Sequence, residues 1–218
     1  MKIIYKFFLK QILKLDNWLY KVISYLAIKT EGGLHPKHRL IGYHKFFLDN
    51  ISPDNKVLDI GCGNGALAYD LAGKAKLVVG IDIVLENILK AKTKYNRSNI
   101  KYIVGDVTKD LNGERFDVII LSNVLEHIND RIGFLKKIST LADKYLIRVP
   151  MFDRDWLPLY KKELDVEWRL DKTHFIEYTE DSFKQEMAIA GYKINNYIIK
   201  FGEIWVIVIK NEKNKNSW

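Results

Sequence analysis

The stretch Val57-Leu58-Asp59-Ile60-Gly61-Cys62-Gly63-Asn64-Gly65 constrains this chain more than any other. A short apolar run ends on glycine at three alternate positions and gives way to residues 65–72, which are spaced as a helix. Glycine there permits a sharp turn and lets a ligand approach the backbone with no Cβ in the way. The spacing is G-x-G-x-G, not the G-x-G-x-x-G of a dinucleotide site. Asp59 stands two residues before the first glycine. A carboxylate at that place repels a pyrophosphate but suits a ligand bearing an ammonium and a sulfonium.

Beyond this turn the hydrophobic period alternates. Residues 56–60, 77–83, 100–104, 116–121 and 144–149 read as buried strands. Residues 65–72, 85–95 and 131–141 read as helices between them. Such alternation predicts a parallel sheet with helices on both faces, and short right-handed crossovers make it doubly wound. A helix at 181–190 and a hairpin of 192–201 with 204–210 complete the pattern. The expected fold is therefore α/β: a seven-stranded, mostly parallel sheet with one antiparallel strand from the terminal hairpin. The turn cluster Ser52-Pro53-Asp54-Asn55 marks the expected start of this domain, 51–218, after a helical extension in 1–50. Within the extension, 3–29 reads as one helix and 35–50 as a second. Residues 151–179 are charged and aromatic with no clean period, and read as an insertion on the substrate side.

The glycine motif resembles the first motif of the class I S-adenosylmethionine-dependent methyltransferases, in particular their small single-domain members. The resemblance covers roughly residues 54–150 with specific motifs. It implies S-adenosylmethionine as cofactor, a Rossmann-like sheet, and contacts from Asp59, Gly61, Cys62, Gly63, Asn64 and Gly65. It also implies that Asp82, ending Val79-Gly80-Ile81-Asp82-Ile83, accepts from the ribose hydroxyls, with Ile83 beside it. A carboxylate is suited to that role because its oxygens only accept. Asp106 resembles the acid that meets the adenine amino group, with Val107 offering a backbone amide. Ser122 and Asn123 resemble the segment that touches the methionyl part. Each acid also has a plainer reading, as a helix cap or turn residue. Cys62 is expected to pack under the cofactor rather than to act as a nucleophile.

Methyl transfer from a sulfonium needs alignment and, for a hydroxyl acceptor, removal of a proton. His127 follows the fourth strand beside Glu126 and is the first candidate base, with His174 a second; His127 packing at a helix start is the competing reading. Asp153, Arg154, Asp165 and Arg169 of the insertion are further candidates. No metal set is evident from the spacing of the single cysteine and the histidines. The expected acceptor is a small molecule, or a glycan- or lipid-linked one, methylated on a hydroxyl. The insertion and the segment 35–44 are similar to methyltransferase-like proteins from bacterial and archaeal surface-glycan gene sets. A non-catalytic binder of the same cofactor and a nicotinamide-dependent oxidoreductase are the alternatives.

The net charge is +8, and its distribution matters more than its size. Residues 1–45 carry nine Lys or Arg against two Asp or Glu, whereas 46–210 carry twenty-four of each. A neutral domain with a basic leader argues against nucleic acid as the partner. Lys2, Lys6, Lys10, Lys14 and Lys21 share one arc of the leader helix, opposite Ile4, Phe8, Ile12, Leu15, Leu19, Val22 and Leu26. Three readings compete for it: a lid or other intramolecular packing, a membrane surface, and a dimer contact. The lysines interrupt any secretory signal. The expected place is the cytoplasm, with the inner face of the membrane as the alternative; oligomeric state is not legible.

Overall fold

In the computed structural model the described residues are 1–32, 35–111 and 113–211. The strands are β1 (Lys56–Ile60), β2 (Leu77–Asp82), β3 (Ile100–Val104), β4 (Val118–Ser122), β5 (Lys144–Pro150), β6 (Tyr192–Lys200) and β7 (Glu203–Lys210). They form one seven-stranded sheet in the order β3-β2-β1-β4-β5-β7-β6. β1 to β5 pair in parallel, and β7 lies antiparallel between β5 and β6. The strand order reverses between β1 and β4, which is where open parallel sheets bind ligands beyond their carboxyl ends.

Side-chain alternation along the strands feeds two cores. Leu58, Ile119, Leu121, Tyr145 and Ile147 point into one. Val57, Val118, Ile120 and Leu146 point into the other. The first core is closed by α6 (Val107–Asp110), α7 (Arg131–Ile138) and α9 (Glu180–Ile189) through Val107, Phe134, Leu135, Ile138, Phe183 and Met187. The second is closed by α3 (Tyr43–Asp49), α4 (Ala66–Ala72) and α5 (Leu85–Lys94) through Phe47, Leu67, Leu71, Ile88 and Ala91.

The differences from the sequence reading have local causes. The expected helix at 35–50 is broken into α2 (Lys37–Ile41) and α3 because Gly42 takes a left-handed φ of 64°. The helix expected over 131–141 stops at Ile138, since Leu141 turns inward to the core. β4 starts two residues late and runs on to Ser122. The insertion holds a regular helix, α8 (Trp156–Glu163), capped by the Asp155 carboxylate, which accepts from Leu157 N at 2.6 Å. Its period was hidden because Pro158 and Lys161 occupy its buried face while Trp156 is exposed.

The leader helix α1 (Lys2–Thr30) is longer than any other. Leu13 alone among its residues is buried. With Leu9 it meets Leu157, Tyr160, Leu164 and Val166 of the insertion. Polar contacts fix the same crossing: Lys161 Nζ donates to Asp16 Oδ2 at 2.6 Å and to Asn17 Oδ1 at 2.8 Å, and Asn17 Nδ2 donates to Glu167 O at 2.7 Å. The rest of the helix stands clear, with Phe7, Phe8, Ile12, Trp18 and Ile23 exposed.

Phe47 is fully buried between α3 and the sheet. Truncation of Phe47 to Ala is expected to cost about 3–5 kcal/mol. Urea denaturation measures this; a loss below about 1 kcal/mol would mean that α3 does not belong to the domain core.

Candidate active site

The turn after β1 is held against β2, where Gly61 N and Cys62 N both donate to Ile81 O, at 2.8 and 3.2 Å. Two of its glycines are required by crowding. A Cβ on Gly61 would lie 2.8 Å from Val124 Cγ2, and one on Gly65 would lie 2.5 Å from Tyr102 Oη. Gly63 differs, because its Cβ would meet nothing within 4 Å. That open side is the approach to the backbone. Asn64 Oδ1 accepts from Ala66 N at 3.1 Å and helps start α4. The Cys62 thiol is buried and its pKa is pushed up by burial, with Asp59 and Asp82 adding to the effect. A thiol held protonated in this way packs rather than reacts.

Asp59 is buried, and its Oδ2 has no hydrogen-bond partner. Burial, reinforced by Asp82, raises its pKa to about 8. Asp82 ends β2 and binds the turn: Oδ2 accepts from Gly63 N at 2.9 Å and Oδ1 accepts from Val84 N at 2.8 Å. Ile83 next to it is exposed. Asp106 caps α6, accepting from Thr108 N at 2.9 Å and Thr108 Oγ1 at 2.8 Å, and pairs with Lys109 at 2.9 Å. Hydrogen bonds from Lys109 and Thr108 hold its carboxyl at about 2. Val107 is buried behind it.

The loop after β4 carries the least ordinary chemistry. Asn123 adopts a left-handed φ of 58° with its Oδ1 buried and unpartnered, a combination that concentrates at functional sites. A 3₁₀ turn, Leu125–His127, follows. Glu126 is completely buried and neither carboxylate oxygen has a partner; burial raises its pKa to about 7. Its backbone oxygen accepts from Phe175 N at 2.7 Å, which brings the insertion over the loop. His127 and His174 thereby meet edge to face, ring centroids 4.7 Å apart. Burial and the neighbouring His174 lower the pKa of His127. Glu126, His127 and His174 each place one ligand atom within 4.8 Å of the others. No metal set is legible in the sequence because His174 lies forty-seven residues from His127.

The insertion's other candidates brace rather than face this site. Arg154 donates to Glu177, Met151 O and Trp168 O. Arg169 clasps Glu167 and donates to His174 O at 2.9 Å. Asp153 and Asp165 are exposed, and Asp165 borders a cavity of about 570 Å³ between α1 and the insertion, away from the glycine turn. Sequence reasoning missed Arg148, Glu203 and Tyr43. Arg148 donates to Glu203 through Nε at 2.6 Å and Nη2 at 2.7 Å, and to Ser122 Oγ at 3.3 Å. Its guanidinium stacks 3.9 Å over the Tyr43 ring, whose hydroxyl pairs with His38 Nδ1 at 2.7 Å. An acid and a base fifty-five residues apart give no sequence signal of a buried pair.

A family model described as "Methyltransferase domain" matches residues 34–196. The chain belongs to that family. It is 32% identical over 145 residues to a ubiquinone biosynthesis O-methyltransferase of Rhodopseudomonas palustris (strain BisB5), covering 62% of this chain and 57% of that one. A protein of the same name from Pelagibacter ubique (strain HTCC1062) is 40% identical over 91 residues, which are 41% of this chain and 38% of that protein. The chain thus spans between about two-fifths and three-fifths of the length of these curated relatives. Among solved structures, magnesium protoporphyrin IX methyltransferase from Synechocystis PCC 6803 with bound S-adenosylhomocysteine superposes with a TM-score of 0.65 at 18% identity, over 80% of this chain and 83% of that one. A putative methyltransferase from Bacillus halodurans C-125 gives 0.63 at 13% identity, over 78% and 98%. The class I methyltransferase fold and S-adenosylmethionine as its cofactor follow. The rim fits that ligand: open space at Gly63, an unpartnered buried oxygen on Asp59, and an exposed apolar side chain at Ile83.

Removing Glu203 would leave Arg148 buried without its carboxylate. Glu203→Ala is expected to cost about 3–5 kcal/mol, read by urea denaturation, and to weaken the hold on Tyr43 and Ser122. Unchanged stability would show that Arg148 finds water or another acceptor.

Proposed function

We propose that this methyltransferase methylates a hydroxyl on a small or lipid- or glycan-linked acceptor. The observation that carries the proposal is the buried Glu126 with two unpartnered oxygens, within 4.8 Å of ligand atoms of His127 and His174 on the loop whose Val124 abuts Gly61. An amine acceptor needs little help with a proton, whereas a hydroxyl needs basic groups at the reacting atom. The names of the curated relatives, O-methyltransferases, support the same acceptor chemistry.

S-adenosylmethionine supplies, when bound, a methyl group on a sulfonium. Asp59, Gly61, Cys62, Gly63, Asn64 and Gly65 form the wall against its methionyl part and sulfonium, and a positive charge there offsets the burial that raises the pKa of Asp59 and favours its carboxylate. Asp82 takes the ribose hydroxyls in exchange for the two long 3.4 Å contacts from Asn87 Nδ2, the weakest of its hydrogen bonds. Ile83, Asp106 and Val107 flank the adenine, while Ser122 and Asn123 line the end of β4. His127 and His174 promote the loss of the acceptor hydroxyl's proton. Asp82→Ala is expected to weaken S-adenosylmethionine binding at least 100-fold by calorimetry. His127→Ala should keep that affinity and lower kcat by about 10²–10⁴. Unchanged affinity in the first variant refutes the role of Asp82, and unchanged kcat in the second refutes the role of His127.

A second reading concerns place. No helix among the described residues is long and apolar enough to cross a membrane. We propose instead that α1 lies on an anionic membrane surface, because Phe7, Phe8, Ile12 and Trp18 are exposed on a helix that also carries six lysines. Such a contact would present a lipid-linked acceptor to the insertion, on which α1 rests. Replacing Phe7 and Phe8 with Ser should abolish co-sedimentation with vesicles containing phosphatidylglycerol. Equal pelleting of variant and parent would remove this reading.

A further inference from the structure

The protonation pattern around the histidine pair goes beyond a site for a base. Thr173 Oγ1 donates its only proton to Asp171 Oδ1 at 2.8 Å, so it accepts from His127 Nδ1 at 3.0 Å. His174 Nδ1 donates to Glu177 Oε1 at 2.9 Å, and the other Glu177 oxygen takes Arg154. Each neutral ring therefore carries its proton on Nδ1 and a lone pair on Nε2. An imidazole held through its far nitrogen by a carboxylate is the usual supporting arrangement of a histidine metal ligand. Here it occurs twice, directly for His174 and through Thr173 for His127. Beside them lies the carboxylate of Glu126, nine-tenths or more buried and with neither oxygen engaged. A buried carboxylate left without donors is costly unless a cation or proton joins it.

We propose that Glu126, His127 and His174 form a binding site for a divalent transition-metal cation, Zn²⁺ by preference. Two imidazoles and one carboxylate are the donor set of catalytic zinc sites with an open position. Ligand atoms about 2.1 Å from one Zn²⁺ stand roughly 3.4 Å apart. The present separations of up to 4.8 Å therefore close by about an ångström, chiefly through the exposed His127. The open position faces the acceptor side, and there the cation takes the acceptor's hydroxyl oxygen. Its O–H bond breaks more readily, the proton passes to water, and the metal-held oxygen attacks the sulfonium methyl as the carbon–sulfur bond breaks and S-adenosylhomocysteine leaves. This role rests on the proposed acceptor side, but the binding of the cation does not.

Titration calorimetry of the full chain, freed of metal by chelation, tests the site with Zn²⁺ alone and with Mn²⁺ and Mg²⁺ for comparison. One Zn²⁺ per chain is expected. Glu126→Gln and His174→Ala should each weaken it at least 100-fold, and Glu177→Gln, a positioning residue, about 10–100-fold. S-adenosylmethionine affinity, measured in the same samples, should stay at the parent value and reports that the variants are folded. Absence of Zn²⁺ binding at millimolar concentration overturns the proposal. So does Zn²⁺ binding that His174→Ala and Glu126→Gln leave untouched, which would place the ion elsewhere. Methyl transfer that persists in chelator, while His127→Ala abolishes it, overturns the cation's part in the reaction and leaves the hydroxyl methyltransferase reading standing.

Discussion

No side chain fits between the turn after β1 and the loop after β4. A Cβ on Gly61 would press to 2.8 Å on Val124, and Gly65 is equally closed by Tyr102. This close approach lets β1 and β4 sit side by side at the point where strand order reverses. Everything the site needs follows from it. Of the three glycines in the turn only Gly63 has open space where a Cβ would lie, and the loop that presses on Gly61 carries Asn123, Glu126 and His127.

The second constraint is electrostatic. Arg148 is placed by β5 pairing with β4, directly opposite Ser122, and is answered by Glu203 across the antiparallel pair with β7. Its stacking on Tyr43 draws α3 onto the sheet, so part of the basic leader becomes core. Glu177 has a similar place in the insertion, gathering His174, Arg154 and the Leu170 amide on one carboxylate. These two acids hold the two sides of the rim. Each works because all its oxygens are engaged, which is the condition under which a buried charge is tolerated.

Much of the scaffold was legible before any coordinates. β1 has the bounds its apolar run suggests, because a strand buried on both faces has nothing but its own hydrophobicity to declare, and the edge strand β3 keeps its bounds with only alternate residues Ile100 and Tyr102 buried. Glycines at 61, 63 and 65 mark the turn because all three take a positive φ, and 61 and 65 are also too crowded for a Cβ. Helix α8 was not legible, since a proline and a lysine lie on its buried face and the partner that buries them, α1, is over a hundred residues away. The break at Gly42 was also hidden, as a single glycine inside a helical pattern does not say whether the chain continues or turns.

Sequence by itself determined the family-bearing half of the protein: the alternating strands, the glycine turn and the acids that end β1, β2 and β3. These features are local, and local sterics or periodicity compel them. Only the tertiary structure decided what the histidines face. His127 and His174 come from separate loops, and their meeting depends on the Glu126 carbonyl capturing the Phe175 amide. It also decided that α1 spends two leucines on the insertion and leaves its aromatic residues bare. Long-range pairing of that kind is set by which surfaces the fold leaves adjacent, and no short stretch of sequence contains both partners.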